Sequence, residues 1–346
     1  MLFKTATLSQ LAEFDEIIDV RSPAEFAEDH VPGAINCPVL DDAERALVGT
    51  LYAQQSPFEA RKVGAALVAK NIAQHLETQF SGHPKSWKPL IYCWRGGQRS
   101  GAMSIILNQV GWAAHKLEGG YKQYRRDVLQ RLETLPATLN FRVLCGPTGS
   151  GKSRFLQALA DTGHQVLDLE ALARHRGSVL GQLPDAPQPT QKWFESSLLQ
   201  TLAQLDPSRP IYVESESRKI GRLSVPASLL QAMHSGHCLS MATPEAVRVK
   251  ALLEDYPHFT GNKDLLEKQL EFLQPFHART MLEGWRELIA SGDFPALVAS
   301  LLTNHYDPAY FRALEKNYAG LPQADVLALP DLSPDALRKQ AASFTR

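Results

Sequence analysis

Leu90-Ile91-Tyr92-Cys93-Trp94-Arg95-Gly96-Gly97-Gln98-Arg99-Ser100 is the stretch on which the reading of the fold turns. Its apolar start reads as a buried strand that delivers Cys93 into a loop of glycines and arginines, and an apolar helix follows. A strand end fixes the sulfur, and Gly96 and Gly97 let the backbone curl around it. Successive amide N–H groups and the next helix N-terminus then form an anion-binding nest that would favour a thiolate. A merely structural cysteine, the commoner fate of a lone Cys, has no need of Arg95, Arg99 and paired glycines beside it.

Working outward toward the N-terminus, Glu16-Ile-Ile-Asp-Val-Arg21 is a short β-branched strand. Ser22 can cap a helix whose first residue is Pro23, and His30-Val-Pro-Gly-Ala-Ile-Asn36 supplies a turn and a second strand. Together with the strand-borne Cys93 and Leu117-Glu-Gly-Gly-Tyr121, this series resembles the rhodanese homology domain, an α/β fold. Residues 41–88 are an insertion with apolar positions at helical spacing, read as two or three helices, with Ser56 and Glu59 as a capping box. It is either a cover over Cys93 or extra packing. Five residues separate Cys93 from Arg99, one more than in the common sulfur-transferring rhodanese pattern and equal to the spacing in cysteine-dependent phosphatases. The wider loop suits a tetrahedral oxyanion such as phosphate or selenophosphate, with Arg99 folding back to bind it bidentately. The sulfur could accept a chalcogen or attack phosphorus directly, and spacing leaves both open.

On the C-terminal side, Pro136 breaks a helical stretch ending near Leu135, and Phe141-Arg-Val-Leu-Cys145 begins a new strand. Gly146-Pro-Thr148-Gly149-Ser150-Gly151-Lys152-Ser153 then matches the Walker A pattern in the strand–loop–helix context that gives the pattern meaning. Its backbone would cradle a diphosphate, Lys152 would neutralise charge, and Ser153 would offer a hydroxyl to Mg²⁺. Ile211-Tyr-Val-Glu214 ends in the favoured acidic partner of the loop. Asp168 ends another strand, and it or Glu170 would touch substrate or cap the next helix. Arg174, Arg176, Arg218 and Lys219 follow strand ends, where ligand-crevice loops of open α/β sheets lie, and are candidates for RNA or diphosphate contacts, with a solvated basic face as the plain alternative.

The expected architecture is therefore α/β throughout. A rhodanese-like domain spans 1–135, and a P-loop parallel-sheet domain spans 136–318, helical from about 244. An irregular tail, interrupted by Pro322, Pro330 and Pro334, covers 319–346. The 346 residues allow two packed cores, and a formal net charge of −1 excludes a global field that would draw the protein onto nucleic acid. Four scattered cysteines without a Cys-x-x-Cys pair fit a reducing compartment and no structural zinc. With no run of 18 apolar residues, no membrane partner is expected and the cytoplasm is the expected location.

A rhodanese domain followed by a P-loop domain, with the Cys-Trp-Arg-Gly-Gly-Gln-Arg-Ser loop, Ser56-Pro-Phe-Glu-Ala-Arg-Lys62 and Asp168-Leu-Glu-Ala-Leu-Ala-Arg-His-Arg-Gly177, resembles the tRNA 2-selenouridine synthase family over essentially the whole chain. That resemblance implies tRNA bearing wobble 2-thiouridine as substrate, with selenophosphate as selenium donor and a selenophosphate-supplying enzyme as a partner. It also implies geranyl transfer to the thiouridine sulfur from geranyl diphosphate. No tightly bound cofactor is expected. A small-metabolite kinase fused to a phosphatase-like domain draws on the same two motifs, whereas a noncatalytic RNA-binding module explains neither.

Overall fold

Alternating short strands and helices fold into two parallel sheets, and each sheet places one loop of interest at its centre. The computed structural model describes residues 4–177, 181, 186–257, 261–318 and 320–344. One unit takes the chain up to Arg131 together with Thr190–Gln200, and the other takes Leu132–Pro189 and Thr201 onward.

In the first unit the strands are β1 (Thr5–Ala6), β2 (Glu16–Asp19), β3 (Ile35–Asn36), β4 (Pro89–Tyr92) and β5 (His115–Leu117), in spatial order β1-β5-β4-β2-β3 and all parallel. Every residue of β4 is buried, as a central parallel strand covered on both faces requires. Helix α1 (Pro23–Glu28) starts with Pro23 and a capping box of Ser22 and Glu25, so the cap read from sequence is present. The insertion is two helices, α2 (Asp42–Gln54) and α3 (Pro57–Thr78). Ser56 accepts the Glu59 amide at 3.1 Å. Ile72 of α3 joins the core of Ile18, Ile91, Cys93 and Met103, so the insertion packs against this sheet. Helix α4 (Gln98–Val110) follows the cysteine loop, and α5 (Gly120–Thr134) follows β5.

Residues 190–200 are a departure from the expected order, since the sequence reading placed them in the P-loop domain. Their attachments explain the placement: Lys192 pairs with Glu28 at 2.6 Å, Trp193 stacks on His30 with ring centroids 4.1 Å apart, and Arg125 binds Glu195.

In the second unit β6 (Phe141–Cys145), β7 (Gln165–Leu167), β8 (Ile211–Glu214), the small hairpin β9 (Lys219–Ile220) and β10 (Leu223–Ser224), then β11 (His237–Ala242) and β12 (Asp325–Ala328) appear in chain order. The main sheet runs β12-β11-β6-β8-β7, all parallel. The chain leaves β6 toward β8 and β7, then crosses to β11, so β6 lies at the switch point where open α/β sheets bind ligands. Helices α6 (Lys152–Asp161), α7 (Leu169–Ala173), α8 (Gln191–Ala203, which belongs to the first unit as far as Gln200), α9 (Ala227–His234) and α10 (Glu245–Asp255) lie between the strands in chain order. Helical segments Lys263–Glu271, Arg279–Ser291, Phe294–Leu301 and Asp307–Asn317 follow.

The expected irregular tail is corrected here. β12 completes the sheet, and Leu327, Leu329, Leu332 and Leu337 enter the core with Phe155 and Leu156. Two of the prolines that suggested irregularity sit at element starts, Pro322 in the short turn Leu321–Gln323 and Pro334 as the first residue of the helix Pro334–Ala341, where a missing N–H costs nothing, while Pro330 lies in the connection before that helix. No helix among the described residues is long and apolar enough to cross a membrane.

Candidate functional site

Cys93 directly follows β4, and its Sγ lies 3.2 Å from the Ser100 hydroxyl on the first turn of α4. Gly96 has φ of +66°, which turns the loop back toward α5. Gly120 also has positive φ, and a Cβ there would stand 2.3 Å from the Cys93 carbonyl oxygen and 2.6 Å from the Gly96 amide. That carbonyl accepts the Tyr121 amide at 2.9 Å, so the loop is pinned against the start of α5. Arg95 is exposed, and Trp94 is 38% exposed beside it.

Arg99 is placed otherwise than expected. It does not fold back over the loop but donates to Glu25 of α1 at 2.7 Å. Glu25 also accepts the Ser22 amide, and although burial opposes ionisation, Arg99 leads the interactions that hold its carboxyl below the ordinary range. The pairing follows from α1 placing a part-buried carboxylate beside α4.

The other thiols behave as structural cysteines. Burial pushes Cys37 up to about 12, with its Sγ donating to Gln79 at 2.8 Å, and burial raises Cys145 and Cys238, which hydrogen-bond each other.

The second loop follows β6. Gly149 and Gly151 carry φ of +78° and +86°, the conformations the Walker pattern requires of them. Arg248 donates to the Thr148 carbonyl at 2.9 Å and Thr243 to the Ser150 carbonyl at 2.9 Å. Holding these carbonyls back turns the following amide N–H groups, those of Gly149 and Gly151, the opposite way, because a trans peptide sets C=O and N–H on opposite sides. Arg248 is itself buried and paired with Asp307 at 2.5 Å. Lys152 donates to the Gly146 carbonyl at 2.7 Å, and Tyr310 accepts the Gly146 amide at 2.5 Å.

A cavity of about 390 Å³ opens over this loop. Thr148, Gly149, Gly151, Lys152, Ser153 and Glu214 line it as anticipated, and so does Arg176, whose guanidinium lies over the Tyr256 ring. Gly146 and Ser150 shape the loop from beneath, with Ser150 fully buried. Asp168 does not line the cavity; it caps α7 by accepting the Ala171 amide at 2.8 Å. Arg174, Arg218 and Lys219 are exposed and lie outside the cavity lining, as the solvated-face alternative describes.

The sequence reading missed Glu216, Arg248, Asp307, Tyr256 and Tyr310. Only Glu216 carried a local signal, standing two residues after Glu214. Ser153 donates to Glu170 at 3.3 Å, and one carboxylate oxygen from each of Glu170, Glu214 and Glu216 lies within 4.8 Å of the others. Burial first, and mutual repulsion with it, raises all three carboxyls above the ordinary range against the opposing pull of Lys152. The Mg²⁺ that a Walker loop implies fits this donor set, because buried Glu214 Oε1 has no hydrogen-bond partner among the described residues.

Comparison with known proteins follows the two loops. Residues 5–127 match the model of the rhodanese-like domain, and residues 139–288 match that of the tRNA 2-selenouridine synthase AAA domain. A tRNA 2-selenouridine synthase of Bdellovibrio bacteriovorus is 32% identical, with 87% of this chain and 89% of the relative covered. One from Nitrosomonas europaea is 38% identical over 69% of this chain, and the matched stretch spans 63% of that relative's length. Among solved structures, a rhodanese-related protein from Thermoplasma volcanium is similar at 18% identity and a TM-score of 0.24, over 36% of this chain and 93% of that one.

Proposed function

The chain belongs to the tRNA 2-selenouridine synthase family, and from that premise we propose that it exchanges the sulfur of wobble 2-thiouridine in tRNA for selenium, with selenophosphate as donor and an S-geranylated nucleoside as intermediate. The observation that carries the two-step reading is the cavity over the second loop. Phosphate donors line one end of it, while Leu252, Tyr256, Tyr306 and Leu314 supply an aliphatic and aromatic wall, which suits a prenyl diphosphate.

In the first step the thiouridine sulfur attacks C1 of geranyl diphosphate, the C–O bond breaks, and N3 of the base gives up its proton. The amides of Gly149 and Gly151 with Lys152 bind the departing diphosphate, whose charge grows as the bond breaks, so these contacts strengthen in the transition state. A Mg²⁺ held by Ser153 and Glu214 would supply further charge neutralisation there.

In the second step an S-alkyl sulfur leaves C2 far more readily than a thiocarbonyl sulfur. Cys93 attacks the phosphorus of selenophosphate, the P–Se bond breaks, and selenide is released to add at C2 while geranyl thiolate departs. Water then cleaves the S–P bond and frees phosphate. Ser100, 3.2 Å from Cys93 Sγ, donates a hydrogen bond to the thiolate both before attack and as it leaves. Arg95 and Arg99 meet the phosphoryl oxygens, Arg99 by exchanging Glu25 for the substrate.

Mass spectrometry of nucleosides, from tRNA incubated with protein, selenophosphate and geranyl diphosphate and with each omitted in turn, tests this. C93A is expected to accumulate the S-geranyl nucleoside, and K152A to leave 2-thiouridine unchanged. Selenouridine formed by C93A at the wild-type rate would sink the assignment, and stoichiometric ATP hydrolysis without RNA would point instead to a small-metabolite kinase.

A further inference from the structure

The acidic side of the phosphate cradle holds more charge than a phosphate ligand can use. Glu214 ends β8, Glu216 stands two residues on, and Glu170 lies in the first turn of α7. Their three oxygens lie within 4.8 Å of one another and border a cavity meant for anions. Glu214 is 3% exposed, and its Oε1 has no hydrogen-bond partner among the described residues, which leaves a desolvated oxygen uncompensated by protein. Lys152 attracts all three carboxyls but donates to the Gly146 carbonyl, and its single charge cannot offset three. The backbone closes on the group from outside: a Cβ on Gly177, at φ of +65°, would stand 2.7 Å from a Glu170 oxygen and 3.0 Å from a Glu216 oxygen. A conformation open chiefly to glycine is thus used to bring the chain tight against two carboxylates.

A Mg²⁺ delivered on a phosphate needs one hydroxyl and one carboxylate from the protein and keeps several waters. Ser153 and Glu214 meet that need, so Glu170 and Glu216 are surplus to it. All donors here are hard oxygens, the choice of Mg²⁺ and Mn²⁺ rather than of softer metals. We propose that Glu170, Glu214 and Glu216, with the Ser153 hydroxyl, form a divalent-cation site that fills before and without any phosphate compound. The cation would neutralise the carboxylates first and so make the cradle receptive to an anion. The inference does not rest on which phosphate compound the loop receives.

Metal-stripped full-length protein titrated with Mn²⁺ alone, with free Mn²⁺ read by electron paramagnetic resonance, tests this directly. One Mn²⁺ per chain is expected, displaced by excess Mg²⁺, with E214Q and E216Q each weakening binding at least about tenfold. K152A should bind Mn²⁺ as well as wild type or better, since it removes a nearby positive charge. In chelator E216Q should melt above wild type, because repulsion is relieved, and added Mn²⁺ should reverse that order. Mn²⁺ uptake only after pyrophosphate or ATP is added would overturn the proposal, as would uptake unchanged in both folded glutamine variants.

Discussion

Both units end a central parallel strand in a glycine-bearing loop and begin a helix just beyond it, yet the two loops manage charge in opposite ways. Around Cys93 the protein provides Arg95 and Arg99 and sets one carboxylate, Glu25, against Arg99. Around the second loop Lys152 and Arg176 face Glu170, Glu214 and Glu216. At the first loop an incoming oxyanion would have to replace only one carboxylate, Glu25, on Arg99. At the second, by the proposal above, a cation offsets the three carboxylates before a polyanion enters. One backbone device, a glycine loop ahead of a helix, thus carries two different charge balances set by the side chains placed around it.

The ion pairs behind the loops differ as well, and here the largest effect is expected. Buried Arg248 pairs with part-exposed Asp307 and also holds the Thr148 carbonyl, whereas Arg99 pairs with part-exposed Glu25 and holds no loop carbonyl among the described residues. R248A removes the partner of Asp307 and the charge-assisted hydrogen bond to the Thr148 carbonyl, so a loss of about 3 kcal/mol is expected from the two together. For a unit of this size that is a fall of roughly 6–12 °C in melting temperature. Calorimetry that found R248A melting like wild type would remove the distinction between a clamped loop and a free one.

Glycine substitutions sharpen the comparison at the next level. Ala at Gly120 would drive its Cβ into the backbone of Cys93 and Gly96, whereas Ala at Gly151 meets the end of the Leu332 side chain at 2.5 Å. Both positions have positive φ, costing about 1 kcal/mol in either variant. Backbone cannot yield as a side chain can, so G120A is expected to lose about 2–3 kcal/mol in urea unfolding and G151A about 1–2 kcal/mol. Equal losses would mean that the cysteine loop is no more rigid than the phosphate loop.

The centres of both units were legible from sequence because strand, loop and helix are contiguous there. Leu90–Ser100 and Phe141–Ser153 carry their own apolar runs, glycines and caps, and short-range physics suffices to place them. What was not legible came from residues brought in from far along the chain. Arg248 and Tyr310 reach the second loop from positions 100 and 164 residues from their partners in it, and nothing in their neighbours announces this. Residues 190–200 fell within the expected P-loop domain, and nothing in their sequence shows that the first unit receives them. The tail misled for a different reason: Pro334 read as a breaker, but a proline at the first helical position begins an element rather than ending one. The pairing of Arg99 with Glu25 was not read, since Glu25 lies 74 residues away.

That pairing carries the smallest effects and the finest test of the comparison. If Glu25 is the carboxylate that an incoming oxyanion displaces, E25Q should bind phosphate at the cysteine loop about tenfold more tightly, a gain of about 1.4 kcal/mol. Protection of Cys93 from iodoacetamide by phosphate reports it, and unchanged protection would place the anion away from Arg99. Acid should act in the same direction. The Glu25 carboxyl in the folded protein lies below its ordinary value of 4.5, with Arg99 the main cause of the lowering. A depressed carboxyl contributes stability that is fully present above the unfolded value and is lost as pH falls through the folded one. Wild type should therefore exceed E25Q in stability by a constant margin above about pH 5, within about 1 kcal/mol for a part-exposed pair. Below pH 4.5 the margin should shrink toward zero. Urea unfolding of both proteins from pH 3 to 7 measures the margin directly, and a margin that grew on acidification would show that Arg99 does not hold Glu25 ionised in the folded protein.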